Sequence, residues 1–159
     1  MLVKAMGRYQ RLFWLFCALP VSVSYAQTAT QTPVLLDPNE AFRAAQESGK
    51  AVLVVFSGSD WCAPCIRLER EVLADSSFLR YAGEHVILLK ADFPQRKKIV
   101  QPLQSACEKL ADAYNPEGAF PKLLVISPDK KRVAAISSFR QTPATLVAQL
   151  QRILELNGR

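Results

Sequence analysis

Short apolar runs alternate with helical stripes along most of this chain. Asp37-Pro38 reads as an N-cap followed by a first-turn proline. Ala41, Phe42, Ala44 and Ala45 continue a helix to about Ser48, where Gly49 suits the stop. Ala51-Val52-Leu53-Val54-Val55-Phe56 is continuous, apolar and rich in β-branched residues, the pattern of a strand buried on both faces. Ser57-Gly58-Ser59-Asp60 reads as a loop.

From Cys62 the spacing turns helical. Ile66, Leu68, Val72 and Leu73 recur with Arg67, Glu69, Arg70 and Glu71 between them. Phe78 and Leu79 suggest a further short turn. Val86-Ile87-Leu88-Leu89 is a second buried strand, with His85 at its start. A polar connection over 92–98 leads to a helical stripe of Val100, Leu103, Cys107, Leu110 and Tyr114, which Asn115-Pro116-Glu117-Gly118 ends. Lys122–Ser127 and Arg132–Ser137 flank the turn Pro128-Asp129-Lys130 and predict a hairpin. Thr142-Pro143 caps a last helix with a core face of Leu146, Leu150, Ile153 and Leu154. The order α-β-α-β-α-β-β-α predicts an α/β fold. Parallel strands joined by crossover helices and an antiparallel strand from the hairpin make a central mixed sheet flanked by helices on both faces.

The beginning of the chain follows another rule. Lys4, Arg8 and Arg11 precede the apolar block Leu12–Leu19, Pro20 breaks it, and Ser24-Tyr25-Ala26 offers small residues before Gln27. Basic, apolar, small-residue is the order of a secretory signal peptide. The apolar run falls short of the ~20 residues of a membrane span, so cleavage near Ala26 is expected rather than anchoring. The expected organisation is a signal over 1–26, a loose lead-in over 27–37 and one domain over 38–159. Removing 1–26 lowers the net charge from +6 to +3, so the basic balance gives no reason to expect nucleic acid. Arg96-Lys97-Lys98 remains as a local basic cluster, read as a solvated loop with partner docking as the alternative.

Export also changes the cysteine count. Cys17 leaves with the signal, and Cys62, Cys65 and Cys107 remain, too few and too oddly spaced for a structural framework. Cys62-Ala63-Pro64-Cys65 follows a buried strand and loop and opens a helix. Residues three apart on a helix have Cβ atoms about 5–6 Å apart, within reach of a disulfide. Unpaired N–H groups at the helix start favour a thiolate on Cys62, and Pro64 costs nothing in the first turn. Cys62, nearest the loop, is expected to be the exposed nucleophile and Cys65 the resolving cysteine. Trp61 offers a flat apolar surface beside the sulfur. Cys107, on the apolar stripe, is expected to be a buried free thiol.

Trp61-Cys62-Ala63-Pro64-Cys65 resembles the active site of the thioredoxin superfamily, and the approach Phe56–Asp60 resembles that of its exported bacterial members. A second motif, Leu110–Tyr114 and then Phe120-Pro121 leading into a strand, is also similar. The resemblance covers roughly 38–156 and implies a thioredoxin-like fold. It further implies a cis Phe120–Pro121 bond opposite the cysteine pair, and a substrate site of Trp61, Ala63, Pro64, Phe120 and Pro121. Extended substrate would pair with the Phe120 backbone. The family's buried aspartate is replaced here by Val55 or Phe56. Its proton relay is therefore missing or supplied by Asp60, Glu69 or water, and Lys90 loses the partner that the family's lysine has.

The expected function is a periplasmic thiol–disulfide oxidoreductase, acting as a reductase on protein substrates that carry disulfides or thiols. Its expected electron donor is a membrane protein, its expected state a monomer, and its redox centre the Cys62–Cys65 disulfide with no cofactor or metal. A soft-metal (copper) chaperone and a non-catalytic adaptor are the rival readings.

Overall fold

The computed structural model describes residues 33–138 and 140–157. The expected signal over 1–26 and the lead-in as far as residue 32 lie outside these. Five helices and four strands follow in order: α1 Pro38–Ser48, β1 Ala51–Ser57, α2 Ala63–Leu68, α3 Ser76–His85, β2 Val86–Asp92, α4 Leu103–Tyr114, β3 Lys122–Ile126, β4 Val133–Ile136 and α5 Pro143–Asn157. A π-helical turn over Glu69–Leu73 extends α2.

Local chemistry sets several boundaries as the sequence implies. Asp37 caps α1 by accepting from the Asn39 N–H at 2.8 Å, and Gly49 ends it in the left-handed region, φ 71°. Glycine adopts that conformation without a steric penalty. Thr142 Oγ1 accepts from the Thr145 N–H at 3.2 Å at the start of α5.

The sheet runs β2-β1-β3-β4. Successive strand residues face opposite sides, which explains why every residue of β1 is buried. Leu53, Val55, Leu88, Leu123 and Val125 face α2, α3 and α5, packing with Leu68, Val72, Phe78, Leu146 and Leu150. Val52, Val54, Phe56, Leu89, Leu124 and Ile126 face α1 and α4, packing with Phe42, Ala45, Cys107 and Leu110. The mixed sheet with helices on both faces is therefore as expected. Each large aliphatic side chain fully buried there stabilises the fold by about 1.5–3 kcal/mol in transfer terms.

Several sequence expectations give way. β3 runs antiparallel to β1, not parallel, while β1 and β2 are parallel. The β2–β3 connection contains a loop as well as α4, so the chain goes out and back. It re-enters the sheet at the end where β2 leaves, and the rings of Phe93 and Phe120, either side of that excursion, lie 5.5 Å apart. The short turn expected at Phe78 is a ten-residue helix with His85 as its last residue, not the first of a strand. Asp75 caps it, accepting from the Ser77 and Phe78 N–H groups. Ile66 is exposed, because the buried face of α2 runs through Cys65 and Leu68, and the wide π turn then brings adjacent Val72 and Leu73 both into the core. Val100 precedes α4 and is exposed. Within the lead-in, Leu35 pairs with the outer edge of β2. Its N–H donates to the Leu88 carbonyl and its carbonyl accepts from the Lys90 N–H, both at 2.9 Å. That edge is thereby partly covered.

Candidate active site

Residues 58–62 turn tightly out of β1. The Gly58 carbonyl accepts from the N–H of Trp61 at 3.4 Å and of Cys62 at 3.0 Å. Cys62 then caps α2, and the Cys65 N–H donates to Cys62 Sγ at 3.3 Å. Cys62 and Cys65 are bonded, with S–S 2.01 Å and Cα atoms 5.2 Å apart. The spacing that predicted a closable pair is thus realised at the predicted place.

Cys62 is 5% exposed and Cys65 2% exposed. The expectation of an exposed outer cysteine is corrected for this bonded state. Each bonded sulfur points at its partner over the first helical turn, and the Cys65 N–H takes one further side of Cys62 Sγ. The neighbouring Ala63 and Pro64 are exposed and Trp61 is 38% exposed.

Trp61 is fixed from three sides. Its Nε1–H donates to the Phe93 carbonyl at 2.7 Å. Its ring meets Phe120 edge-on at 5.5 Å. Its third neighbour is Gly58, where an added Cβ would lie 2.3 Å from the indole Cε2, so a side chain there and this ring position are incompatible.

Phe120-Pro121 joins the site through a cis bond, and Gln101-Pro102 is cis as well. The loop before Phe120 is closed by buried Asn115, whose side chain donates to the Ala119 carbonyl and accepts from its N–H, each at 3.0 Å. Lys122 ties down the same loop, donating to the Tyr114 carbonyl at 2.7 Å and to Glu117 at 2.6 Å. Trp61, Phe120 and Phe93 form one aromatic group, and a cleft of about 500 Å³ lies between Pro64, Arg67 and Pro121. The residues expected to bind substrate therefore fall at one end of the sheet.

Two acids that carry no motif organise this end. Asp92 accepts from the Ser59 N–H at 2.9 Å and from the Ser59 hydroxyl at 2.5 Å. Asp60 accepts from three successive N–H groups, those of Gln95 at 2.9 Å, Arg96 at 2.8 Å and Lys97 at 3.2 Å. These donors, Gln95 foremost, hold the Asp60 carboxyl below its ordinary value against a desolvation that raises it. Sequence reading weighed Asp60 only as a proton relay, because a carboxylate's backbone partners 35 to 37 residues away leave no local signal.

The positions of the missing aspartate, Val55 and Phe56, are both buried. Val55 lies opposite Lys90 in the register of β1 and β2. Lys90 does have a partner: its Nζ donates to Glu69 at 2.9 Å, one turn beyond Cys65. Cys107 is free and 3% exposed, with Sγ 3.9 Å from the Leu36 carbonyl. Burial first, then the nearby charges of Asp37 and Asp92, push its thiol up to about 11. His85 stacks on Tyr81 at 4.1 Å, and its Nδ1 lies 2.9 Å from the Tyr81 carbonyl. Among the described residues no group of three or more His, Cys, Asp or Glu is placed to hold a metal ion.

Comparison with known proteins agrees with this geometry. The family model described as thioredoxin-like matches residues 29–128. Disulfide bond reductase DsbH of Chlamydia pneumoniae is 29% identical over 117 residues, which are 74% of this chain and 70% of that protein. The thioredoxin-related protein DsbJ of the same organism is 26% identical over 121 residues, 76% of this chain but only 34% of DsbJ. A solved structure of a DsbH oxidoreductase superposes with a TM-score of 0.71 at 26% identity, covering 79% of this chain and 88% of that one. This chain belongs to the thioredoxin-like family and is a thiol–disulfide oxidoreductase.

Proposed function

We propose that the chain is an exported reductase of protein disulfides, with Cys62 as nucleophile and Cys65 as resolving cysteine. The observation that carries this is the bonded pair at the start of α2, with the Cys65 N–H aimed at Cys62 Sγ. In the reduced protein the same N–H would stabilise a Cys62 thiolate. That thiolate attacks one sulfur of a substrate disulfide, forming a mixed disulfide and releasing the other sulfur as a thiolate, which takes a proton. Cys65 loses its proton, attacks Cys62 Sγ and releases the second substrate thiol. Two electrons and two protons pass to the substrate, and the pair ends as the disulfide seen in the structure.

The electrons reside in the pair itself, so the reading requires no bound cofactor or metal. Each cycle consumes one dithiol, and a second redox protein must restore it; a membrane-borne dithiol donor fits an exported reductase. Trp61, Ala63, Pro64, Phe120 and Pro121 would form the surface on which an extended substrate segment lies, with the Phe120 backbone as its strand partner. Export to the periplasm rests on the basic, apolar and small-residue order of 1–26. The name of DsbH, a disulfide bond reductase, supports the direction.

The test is the reduction potential of the Cys62–Cys65 pair. The purified protein is equilibrated in glutathione buffers, and the bonded fraction is read by mass spectrometry of the peptide that carries both cysteines. A potential at or below about −230 mV is expected of a reductant. A value above about −180 mV would overturn the reductase direction, and a pair that never cycles would overturn the whole reading. The mass of the intact exported protein reports processing, with Gln27 expected as the first residue.

A further inference from the structure

The loop after β2 carries three exposed cations and is tied through its main chain to the residues just before Cys62. Arg96, Lys97 and Lys98 are all exposed. None of them forms an ion pair with another described residue. Asp60, which feels the charge of Arg96, is already engaged by three backbone N–H groups of this same segment. A loop bearing three like charges repels itself and gains nothing from a fixed position by its side chains alone. Here its position is imposed through the main chain. Asp60 holds residues 95–97, Ser59 and Asp92 pin its base, and Trp61 Nε1–H holds the Phe93 carbonyl. Every one of these anchors lies within four residues before Cys62 or at the start of the loop.

The anchoring fixes the distance scale. Two Cα steps separate Asp60 from Cys62, at most about 7.6 Å. An extended segment advances about 3.3 Å per residue. A substrate segment that leaves the reacting cysteine toward Trp61 and Phe93 would therefore pass Arg96–Lys98 two to five residues on. A cleft of about 490 Å³ is lined by Phe93, Lys97 and Lys98 together with two acids already engaged, Asp92 by Ser59 and Glu108 by Gln104. Arg67, exposed on the side of the pair toward Pro121, adds charge of the same sign.

We propose that Arg96, Lys97 and Lys98 form a docking surface for an acidic segment next to the reacting cysteine of the protein substrate. The inference rests on the oxidoreductase reading above and names the chemistry of its substrate. Opposite charge there raises the rate of productive encounter, and salt weakens it.

The experiment uses synthetic peptides closed by one disulfide, with four Asp, four Ser or four Lys placed two to five residues from the cysteines. Reduction of each by the dithiol form of the full chain is followed at low and high ionic strength. A small uncharged disulfide is the control for chemistry alone. The acidic peptide is expected to react about 10-fold faster than the Ser peptide at low salt, and within about twofold of it near 0.5 M salt. Replacing Arg96, Lys97 and Lys98 by Ala should bring the acidic-to-Ser ratio close to one. Their replacement by Glu should invert the preference toward the Lys peptide. Neither change removes a backbone donor from Asp60. Equal rates for all three peptides, or a ratio that survives both replacements, would overturn the docking surface while leaving the chemistry intact. Failure to reduce even the uncharged control would overturn the oxidoreductase reading instead.

Discussion

Cys62, Cys65 and Cys107 are covered to nearly the same degree, at 5%, 2% and 3% exposure. Their surroundings differ in every other respect. Cys62 and Cys65 begin a helix, where an N–H is directed at sulfur. Cys107 lies in the middle of α4, whose own backbone N–H groups are used within the helix, and faces Leu36 and the charges of Asp37 and Asp92. Burial therefore does not separate the bonded pair from the free thiol in this protein. The position along a helix, and the sign of the nearby charge, do.

The largest effect should come from exchanging roles between these sites. Cys62→Ser is expected to reduce turnover of a disulfide peptide to the uncatalysed level. Cys65→Ser should instead trap a mixed disulfide on Cys62, visible as a mass adduct. Cys107→Ser should change the rate by less than about twofold. Rapid turnover by the Cys62→Ser protein, or its loss in the Cys107→Ser protein, would reverse the assignment.

A second prediction separates the sites by pH. A thiol raised from 9.0 to about 11 stays protonated in the folded chain while its unfolded counterpart ionises. The stability this represents is fully present below pH 9 and is lost as pH rises from there through about 11. In urea unfolding, the wild-type protein should lose about 1–3 kcal/mol more than Cys107→Ala between pH 8 and 11. At pH 8 only about one molecule in a thousand carries the Cys107 thiolate, so iodoacetamide should modify reduced Cys62 at least ~100-fold faster. Comparable rates would place Cys107 in the reactive class.

The same contrast explains what the sequence made legible. Helix starts and stops are local: Asp37 and Gly49 bound α1 through contacts within two or three residues. The cysteine spacing and the continuous apolar run of β1 are equally local, and both appear where expected. The direction of β3 was not legible, since it depends on how far the loop and α4 carry the chain before it returns. α3 leaves only a weak signal because its fully buried positions are just two, Phe78 and Ala82. The clamp of Asp60 on residues 95–97 and the seat of Trp61 on Gly58 join segments through main-chain atoms, which every residue carries. No residue type announces them.

The smallest expected effect concerns the ion pair beside the reactive site. Lys90 is only 19% exposed on its side chain and Glu69 is 42% exposed, 2.9 Å apart. Such a half-exposed pair is screened by solvent, so Glu69→Gln should cost about 0.5–1 kcal/mol of stability. Much of that cost is a lysine left without its partner near the core, a penalty that grows with burial. The carboxylate of Glu69 is occupied by the ammonium of Lys90, and a proton acceptor for Cys65 would have to give up that contact. Its replacement should therefore leave the decay of the mixed disulfide within about threefold of wild type, and the pair's potential within about 20 mV. Stopped-flow quenching of Trp61, the lone tryptophan after residue 26, follows that decay directly. A tenfold or greater slowing that grows as pH falls would make Glu69 the base that the buried Val55 and Phe56 do not supply. An unchanged rate leaves Cys65 to lose its proton to water or to the departing substrate thiolate. The contrast with Cys107 would then rest on the helix start alone.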